Sequence, residues 1–255
     1  MTKESSSSRF GSLKPYWQGL IFLFEPKPPA GYGAKSGMKL LFIFVVLEWV
    51  IGPRLALFSF LHIPIPETSI RIFSLLVFAL ALVRFGAGIP LREIGLYSGN
   101  VWTKMESWYF IEIFIITNVI FSVADFSELE ILKNHPGIWE SASFLFIATI
   151  AWGFYQELIY RGILQTELVR RWGTAAGILA SNLFFTFGPL HFYHFHLAEG
   201  NPSHLWVFAA IFAIGLYFGL AFKRSGNLWI IGLLHGVGDC YLDALGHLLN
   251  PARGH

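Results

Sequence analysis

The sequence predicts an all-α fold, a polytopic transmembrane bundle of about seven helices with the N-terminus inside and room for an eighth helix. Hydrophobic residues make up 55% of the 255 residues and charged residues only 13%, whereas soluble domains carry roughly 25% charged residues. Mean hydropathy is +0.56. Two further observations support this prediction, namely a series of long apolar stretches and an uneven distribution of Lys and Arg around them. Together they indicate an integral membrane protein.

The apolar stretches have the length that crossing a bilayer requires, which is about 20 mainly apolar residues. They occupy residues 39–62, 68–88, 107–125, 138–160, 174–195, 204–222 and 227–249. Pro53 and Arg54 interrupt the first stretch, and Arg71 and Arg84 shorten the second. We therefore expect seven spans, or eight if one stretch is broken into two elements.

Lys and Arg residues set the expected orientation, because they are enriched in cytoplasmic loops near helix ends. With the N-terminus inside, thirteen of them fall on the inner side and two, Lys133 and Arg253, on the outer side, while Arg71 lies on a boundary. This distribution predicts an inner N-terminus and an outer C-terminus.

A single membrane domain at residues 39–249 is expected, since no internal repeat or soluble second domain is evident. Residues 1–38 form a polar segment whose apolar run at 16–24 is too short to span and predicts an interfacial helix. No A-x-A-like cleavage site follows that run, which argues against a signal peptide. Residues 250–255 form a short tail.

Charge and cysteine content exclude two further features. The net charge is only +2 and the basic residues are scattered along the chain, so nucleic acid is not an expected partner. Cys240 is the only cysteine, so no intramolecular disulfide can form.

Ionisable residues inside apolar stretches are the candidate functional residues, because each costs about 2.5 to 3.5 kcal/mol at the bilayer centre. Glu157 and Arg161 stand four residues apart at the end of the fourth stretch, on one face of a helix, and this order favours an ion pair. Taken alone, the pair fits a structural role that locks two helices equally well.

His191 follows Phe187 by four residues in the fifth stretch, with Gly188 and Pro189 between them. Proline lacks a backbone donor and leaves a carbonyl unpaired, which a membrane tolerates only where protein or water satisfies it. A wet pocket near His191 would do so. By itself, however, His191 is better explained as a hydrogen-bonded packing residue.

His235 and Asp239 repeat the four-residue spacing in the last stretch, and the glycines between them allow another helix to approach closely. Glu157, His191, His235 and Asp239 thus come from three separate stretches. One shared site explains them better than four separate structural roles.

These three ordered motifs resemble those of the CAAX-prenyl-protease and bacteriocin-processing family of intramembrane proteases, also called the Abi family. The similarity covers about residues 151–244. What the resemblance implies is a glutamic-type intramembrane endopeptidase, a hydrolase that cleaves membrane-anchored proteins or peptides with an activated water and needs no metal or other cofactor. It also implies residence in the lipid bilayer, which in a bacterium is the cytoplasmic membrane.

The resemblance further assigns roles to the motif residues. A glutamate and His191 would activate the water, while His235 and Asp239 would polarise the substrate carbonyl or position the water. The family's first motif usually has two adjacent glutamates, of which the first is the base, but Gln156 stands at that position here. A glutamine amide does not take a proton from water, so Glu157 becomes the leading candidate for the base. Alternatively, Gln156 holds the water while His191 removes the proton.

Three other functions are compatible with these residues. Glu157, His191 and His235 include the two histidines and one carboxylate of many catalytic zinc sites, which would make the chain a zinc-dependent intramembrane protease. Gln156 supports a non-catalytic membrane binding or immunity scaffold of the same fold. Intramembrane charges also suit a small-solute transporter, although paired broken helices are not evident.

Overall fold

The computed structural model describes residues 31–51, 65–96, 102, 104–124, 130, 139–191 and 205–240. Within these residues the regular structure is entirely helical, which confirms the all-α prediction. The predicted interfacial helix at 16–24, the tail at 250–255 and Lys133 lie outside the described residues.

Eight α-helices follow one another through the described ranges, and three of them continue into wider helical turns. They are α1 (Ala34–Val45, continued by Val46–Ile51), α2 (Ile65–Ala81, continued by Leu82–Gly86), α3 (Lys104–Ala124), α4 (Trp139–Glu157, continued by Leu158–Gln165), α5 (Thr166–Trp172), α6 (Thr174–Phe187), α7 (Leu205–Ser225) and α8 (Leu228–Asp239). Tight turns lie at Leu91–Ile94 and Pro189–His191. Each of the seven predicted apolar stretches therefore contains a helix.

One described helical segment, Trp206–Ser225, is long and apolar enough to cross a membrane by itself, with a mean hydropathy of 1.8. Helices α6 and α8 are also apolar but shorter, with 14 and 12 residues. The number of spans and the side on which the N-terminus lies therefore stay predictions.

Helix α6 ends before the apolar stretch at 174–195 does. Gly188 adopts an extended conformation, with φ −79° and ψ 171°, and Pro189 follows it without a backbone donor. The chain then makes the tight turn Pro189–His191, which is closed by a hydrogen bond from the His191 N–H to the Gly188 carbonyl at 3.0 Å. His191 is thus presented by a turn, so it does not continue the helix face that carries Phe187.

Helices α4 and α8 pack backbone against backbone. A Cβ at Gly153 would lie 2.5 Å from the Gly236 Cα, and a Cβ at Gly236 would lie 2.5 Å from the Ile150 Cα. Since side chains four residues apart share a helix face, this contact directs Glu157, which follows Gly153 by one turn, towards α8. Gly153 and Gly236 therefore bring the first and third motifs together.

The start of α8 is anchored by polar contacts. The Asn227 side chain caps the helix by accepting a hydrogen bond from the Trp229 N–H at 3.1 Å, as preferred N-cap residues do. The Leu228 N–H donates to the carbonyl of Gly95 at 3.0 Å, and Gly95 has a φ of 89° that favours glycine. These contacts set where α8 begins, and His235 follows about two turns later.

A charged cluster joins α5 to the start of the described chain. Glu167 is buried and accepts hydrogen bonds from Arg170 at 2.6 and 2.7 Å and from Arg171. Burial by itself would raise the pKa of Glu167, but hydrogen bonds from Arg170, Arg171 and Tyr32 outweigh it and lower that pKa. Gly37 of α1 packs directly on the Glu167 carboxylate. The cluster therefore holds α1 and Tyr32 against α5.

Candidate active site

Glu157 links the first and third motifs. It lies at the end of α4, is completely buried, and its Oε1 accepts a hydrogen bond from His235 Nδ1 at 2.8 Å. Its Oε2 lies 3.3 Å from the Nε of Arg161, without the alignment of a hydrogen bond. The predicted pair of Glu157 with Arg161 is therefore present, and the same carboxylate also reaches α8.

His235 lies between two carboxylates. Nδ1 faces Glu157, and Nε2 lies 3.5 Å from Asp239 Oδ1, one turn further along α8. The ring stacks on Phe218 of α7 at 5.4 Å between centroids. The four-residue spacing of His235 and Asp239 thus yields a contact, and the ring is oriented from both edges.

His191 is held by the end of α6. Its Nδ1 makes a hydrogen bond with the carbonyl oxygen of Phe185. Because a carbonyl oxygen only accepts hydrogen bonds, Nδ1 carries the hydrogen, and the lone pair of the neutral ring lies on Nε2. His191 therefore has the tautomer that can accept a proton through Nε2.

Phe185 connects the motifs at the centre of the site. Its ring meets the rings of His191 and His235 edge to face, at 4.7 and 5.8 Å between centroids. The Arg161 guanidinium lies 4.4 Å from the same ring centroid, a favourable cation–π distance. One buried aromatic side chain thus contacts a residue of each of the three motifs.

Comparison with known proteins identifies the segment that contains these residues. Residues 137–241 match the Rce1-like family, described as type II CAAX prenyl endopeptidase Rce1-like. We call this matched segment the Rce1-like domain. The match includes the four candidate site residues and confirms the family resemblance inferred from the motifs. Searches of curated proteins and of solved structures gave no match.

This match supports a peptidase at the general level. Rce1-like proteins are integral membrane proteins that act on membrane-associated protein substrates. The Rce1-like domain begins just before α4 and ends just after α8. It therefore includes both helices that supply Glu157, His235 and Asp239.

Phe187, the supporting residue four positions before His191 in the second motif, lies at the surface of the Rce1-like domain. It is 45% exposed and stacks on Phe208 at 5.7 Å. Phe185, two residues earlier, contacts His191 instead. The turn lies at Gly188 and Pro189, where the sequence indicates that the helix is perturbed.

Arg161 is surrounded by protein on several sides. Its Nη2 donates to the Gly215 carbonyl at 3.0 Å. At Gly215 a Cβ would overlap Asn182 Oδ1 and come within 3.2 Å of Arg161 Nη2, while Asn182 Nδ2 donates to the Phe212 carbonyl at 2.9 Å. Because Gly215 has no side chain, α7 can pack closely over the Arg161 guanidinium.

Several buried polar atoms of the Rce1-like domain have no hydrogen-bond partner among the described residues. They include Gln156 Oε1, Glu157 Oε2, Arg161 Nη1 and Asn182 Oδ1. Buried polar groups in folded proteins are nearly always paired, with protein or with water. These atoms give the site capacity for further polar partners.

Glu48 is a buried carboxylate that the sequence prediction did not include. It lies in the helical turns that continue α1, it is completely buried, and it accepts a hydrogen bond from the Tyr160 hydroxyl. The available signal was its position inside the first apolar stretch, where any ionisable residue is a candidate for function.

The zinc alternative receives no support from side-chain placement. Among the described residues, no three His, Cys, Asp or Glu side chains are grouped so that they could hold a metal ion.

Proposed function

We propose that this chain is an intramembrane endopeptidase that hydrolyses a peptide bond in a membrane-associated protein or peptide. The Rce1-like domain supports the general activity. The observation that carries the proposal is the 2.8 Å hydrogen bond between Glu157 of the first motif and His235 of the third, inside a buried site. A carboxylate and an imidazole in contact can share the proton movements of hydrolysis.

Water activation is assigned to Glu157 with His191. Glu157 Oε2 has an ion-pair contact with Arg161 but no aligned hydrogen bond among the described residues, so it can accept a hydrogen bond from water. The Nε2 lone pair of His191 can accept one as well. The water oxygen then attacks the carbonyl carbon of the substrate. The proton that the water loses passes to the pair formed by the Glu157 carboxylate and the His191 imidazole.

His235 and Asp239 are assigned to the carbonyl side of the reaction. A protonated His235 donates through both ring nitrogens, and Nε2, which faces Asp239 at 3.5 Å, is the atom that can turn to the developing oxyanion. Donors of this kind contribute about 2.7 to 4 kcal/mol to transition-state stability. The C–N bond then breaks, and the proton taken from water is delivered to the leaving amine.

Peptide cleavage by matched variants tests the proposal. The first substrate is a fluorogenic peptide with a prenylated cysteine near its C-terminus, because the name of the family refers to such ends; peptides with other membrane anchors follow. Glu157→Ala and His191→Ala are each expected to lose about 100-fold or more of the cleavage rate. Glu130→Ala, at an exposed carboxylate, is the control that keeps wild-type activity. Unchanged cleavage by Glu157→Ala would remove Glu157 from the mechanism.

A non-catalytic scaffold is the second candidate function, and Gln156 is the observation that favours it. Gln156 is buried, and its Oε1 has no partner among the described residues. If the chain lost catalysis with the first glutamate, Gln156→Glu would create activity that the natural sequence lacks. If the chain is a peptidase as proposed, the natural sequence cleaves without that change.

A further inference from the structure

We propose that Glu48, outside the Rce1-like domain, is a positioning residue of the candidate active site that fixes the turn carrying His191 through Tyr160 and Gly188. This inference rests on the proposed function for its catalytic consequence. The placement of His191 is a separate, measurable consequence.

The first step is the hydrogen bond from the Tyr160 hydroxyl to Glu48 Oε1. Both side chains are completely buried. A carboxylate in an apolar environment is costly unless it is hydrogen-bonded, so this contact accounts for how Glu48 is accommodated in α1. It also ties α1 to the helical turns that directly follow Glu157.

The second step is the contact of this pair with Gly188. A Cβ at Gly188 would lie 2.8 Å from Glu48 Oε1 and 3.0 Å from the Tyr160 hydroxyl oxygen. The pair therefore lies against the residue whose carbonyl accepts the His191 N–H. Glycine is required here because neighbouring atoms approach closely. Its backbone conformation does not require it, since a φ of −79° is open to other residues.

The third step is the packing that makes Tyr160 rigid. Its ring meets Phe185 edge to face at 5.1 Å and Phe44 of α1 at 5.7 Å. Its backbone carbonyl accepts a hydrogen bond from the Ser181 hydroxyl of α6 at 2.8 Å. Because Phe185 also contacts His191, a movement of Tyr160 changes both supports of the imidazole.

Through these contacts Glu48 can position His191, although the two residues are far apart in the sequence. Its carboxylate and the Tyr160 hydroxyl set how closely α1 approaches the end of α6. Small displacements of a catalytic group reduce rates strongly, by about 100-fold for 1 Å. Loss of the Glu48 contact is therefore expected to lower kcat by about that factor and to leave KM unchanged.

The test uses three variants of the full chain. Glu48→Leu removes the acceptor, Tyr160→Phe removes the donor, and Glu48→Gln keeps an oxygen that can accept from Tyr160. Gln165→Leu is the matched control, because Gln165 is equally buried and donates to Gly219 of α7 at 2.8 Å, away from the Gly188 turn. Each variant is examined by cleavage kinetics and by ¹⁵N NMR of the histidine side chains, with the His191 signals assigned from His191→Asn.

Glu48→Leu and Tyr160→Phe are expected to shift the His191 ring signals and to lower kcat, while Glu48→Gln retains the wild-type signals. Gln165→Leu is expected to leave the His191 signals in place even if it lowers thermal stability. Wild-type His191 signals in Tyr160→Phe or in a folded Glu48→Leu would overturn the proposal. If wild-type protein cleaves no peptide but the signals still depend on Glu48, the proposed activity fails and the positioning role stands.

Discussion

Arg161 shows how one charged residue can be held inside an apolar bundle. Its guanidinium is completely buried and contacts Glu157 at 3.3 Å, the Gly215 carbonyl at 3.0 Å and the face of Phe185. Removing one member of a buried ion pair leaves the other charge without compensation, which is more costly than losing the contact itself. Arg161 therefore supports the site by balancing the Glu157 charge.

Arg161→Met is expected to destabilise the protein by about 3 to 5 kcal/mol, because Glu157 stays buried with only His235 to balance it. The double variant with Glu157→Gln is expected to recover part of this loss, since no uncompensated charge remains. Thermal unfolding in detergent measures both. Arg92→Met is the control, because Arg92 is exposed and its pair with Glu93 lies at the surface, where such pairs contribute about 0 to 1 kcal/mol. Equal effects of Arg161→Met and Arg92→Met would contradict this account.

At the scale of elements, the packing of α4 on α8 determines whether the site exists. Gly153 and Gly236 let the two backbones touch, and this contact brings Glu157 within 2.8 Å of His235. Neither backbone can move aside without moving a motif residue. A change in the separation of these two helices would therefore change the geometry of the site.

Gly236→Ala is expected to push α8 away from α4, because the added methyl group would meet the backbone of Ile150 at 2.5 Å. Overpacking of this kind costs about 1 to 3 kcal/mol. We expect loss of cleavage together with a lower unfolding temperature. Gly33→Ala serves as the control, since a Cβ there has nothing within 4 Å. Full activity in Gly236→Ala would show that the close crossing is not needed.

At the scale of the whole molecule, elements outside the Rce1-like domain hold it in place. Glu48 of α1 contacts Tyr160, and the Gly95 carbonyl receives the first N–H of α8. Tyr32 and Gly37 contact the Glu167 cluster on α5. The N-terminal half of the described chain therefore supports the half that contains the Rce1-like domain.

The orientation in the membrane is a prediction for the whole chain, and the single native cysteine makes it testable. In a Cys240→Ser background, Lys104→Cys is expected on the inner side and Lys133→Cys on the outer side, because thirteen basic residues fall inside and two outside. In right-side-out vesicles, a membrane-impermeant maleimide should label Lys133→Cys directly and Lys104→Cys only after permeabilisation. The reverse pattern would invert the topology.

Features that depend on neighbours along the chain could be predicted from the amino-acid sequence. Apolar runs identified a helix in each of seven stretches, and the four-residue spacings identified the contacts of Glu157 with Arg161 and of His235 with Asp239. These are local properties, since the helical period alone places such residues on one face. The family resemblance was available for the same reason, because it rests on ordered motifs.

Which helices meet could not be predicted from the sequence and is seen in the packing of the folded chain. The Glu157–His235 contact, the central place of Phe185 and the approach of Glu48 to Gly188 all join residues from different helices. The end of α6 at Phe187 and the turn that follows it also determine how His191 is placed. Such features depend on helix crossing and close packing, and these are set by the shapes of several elements together. No period along one stretch of chain encodes them.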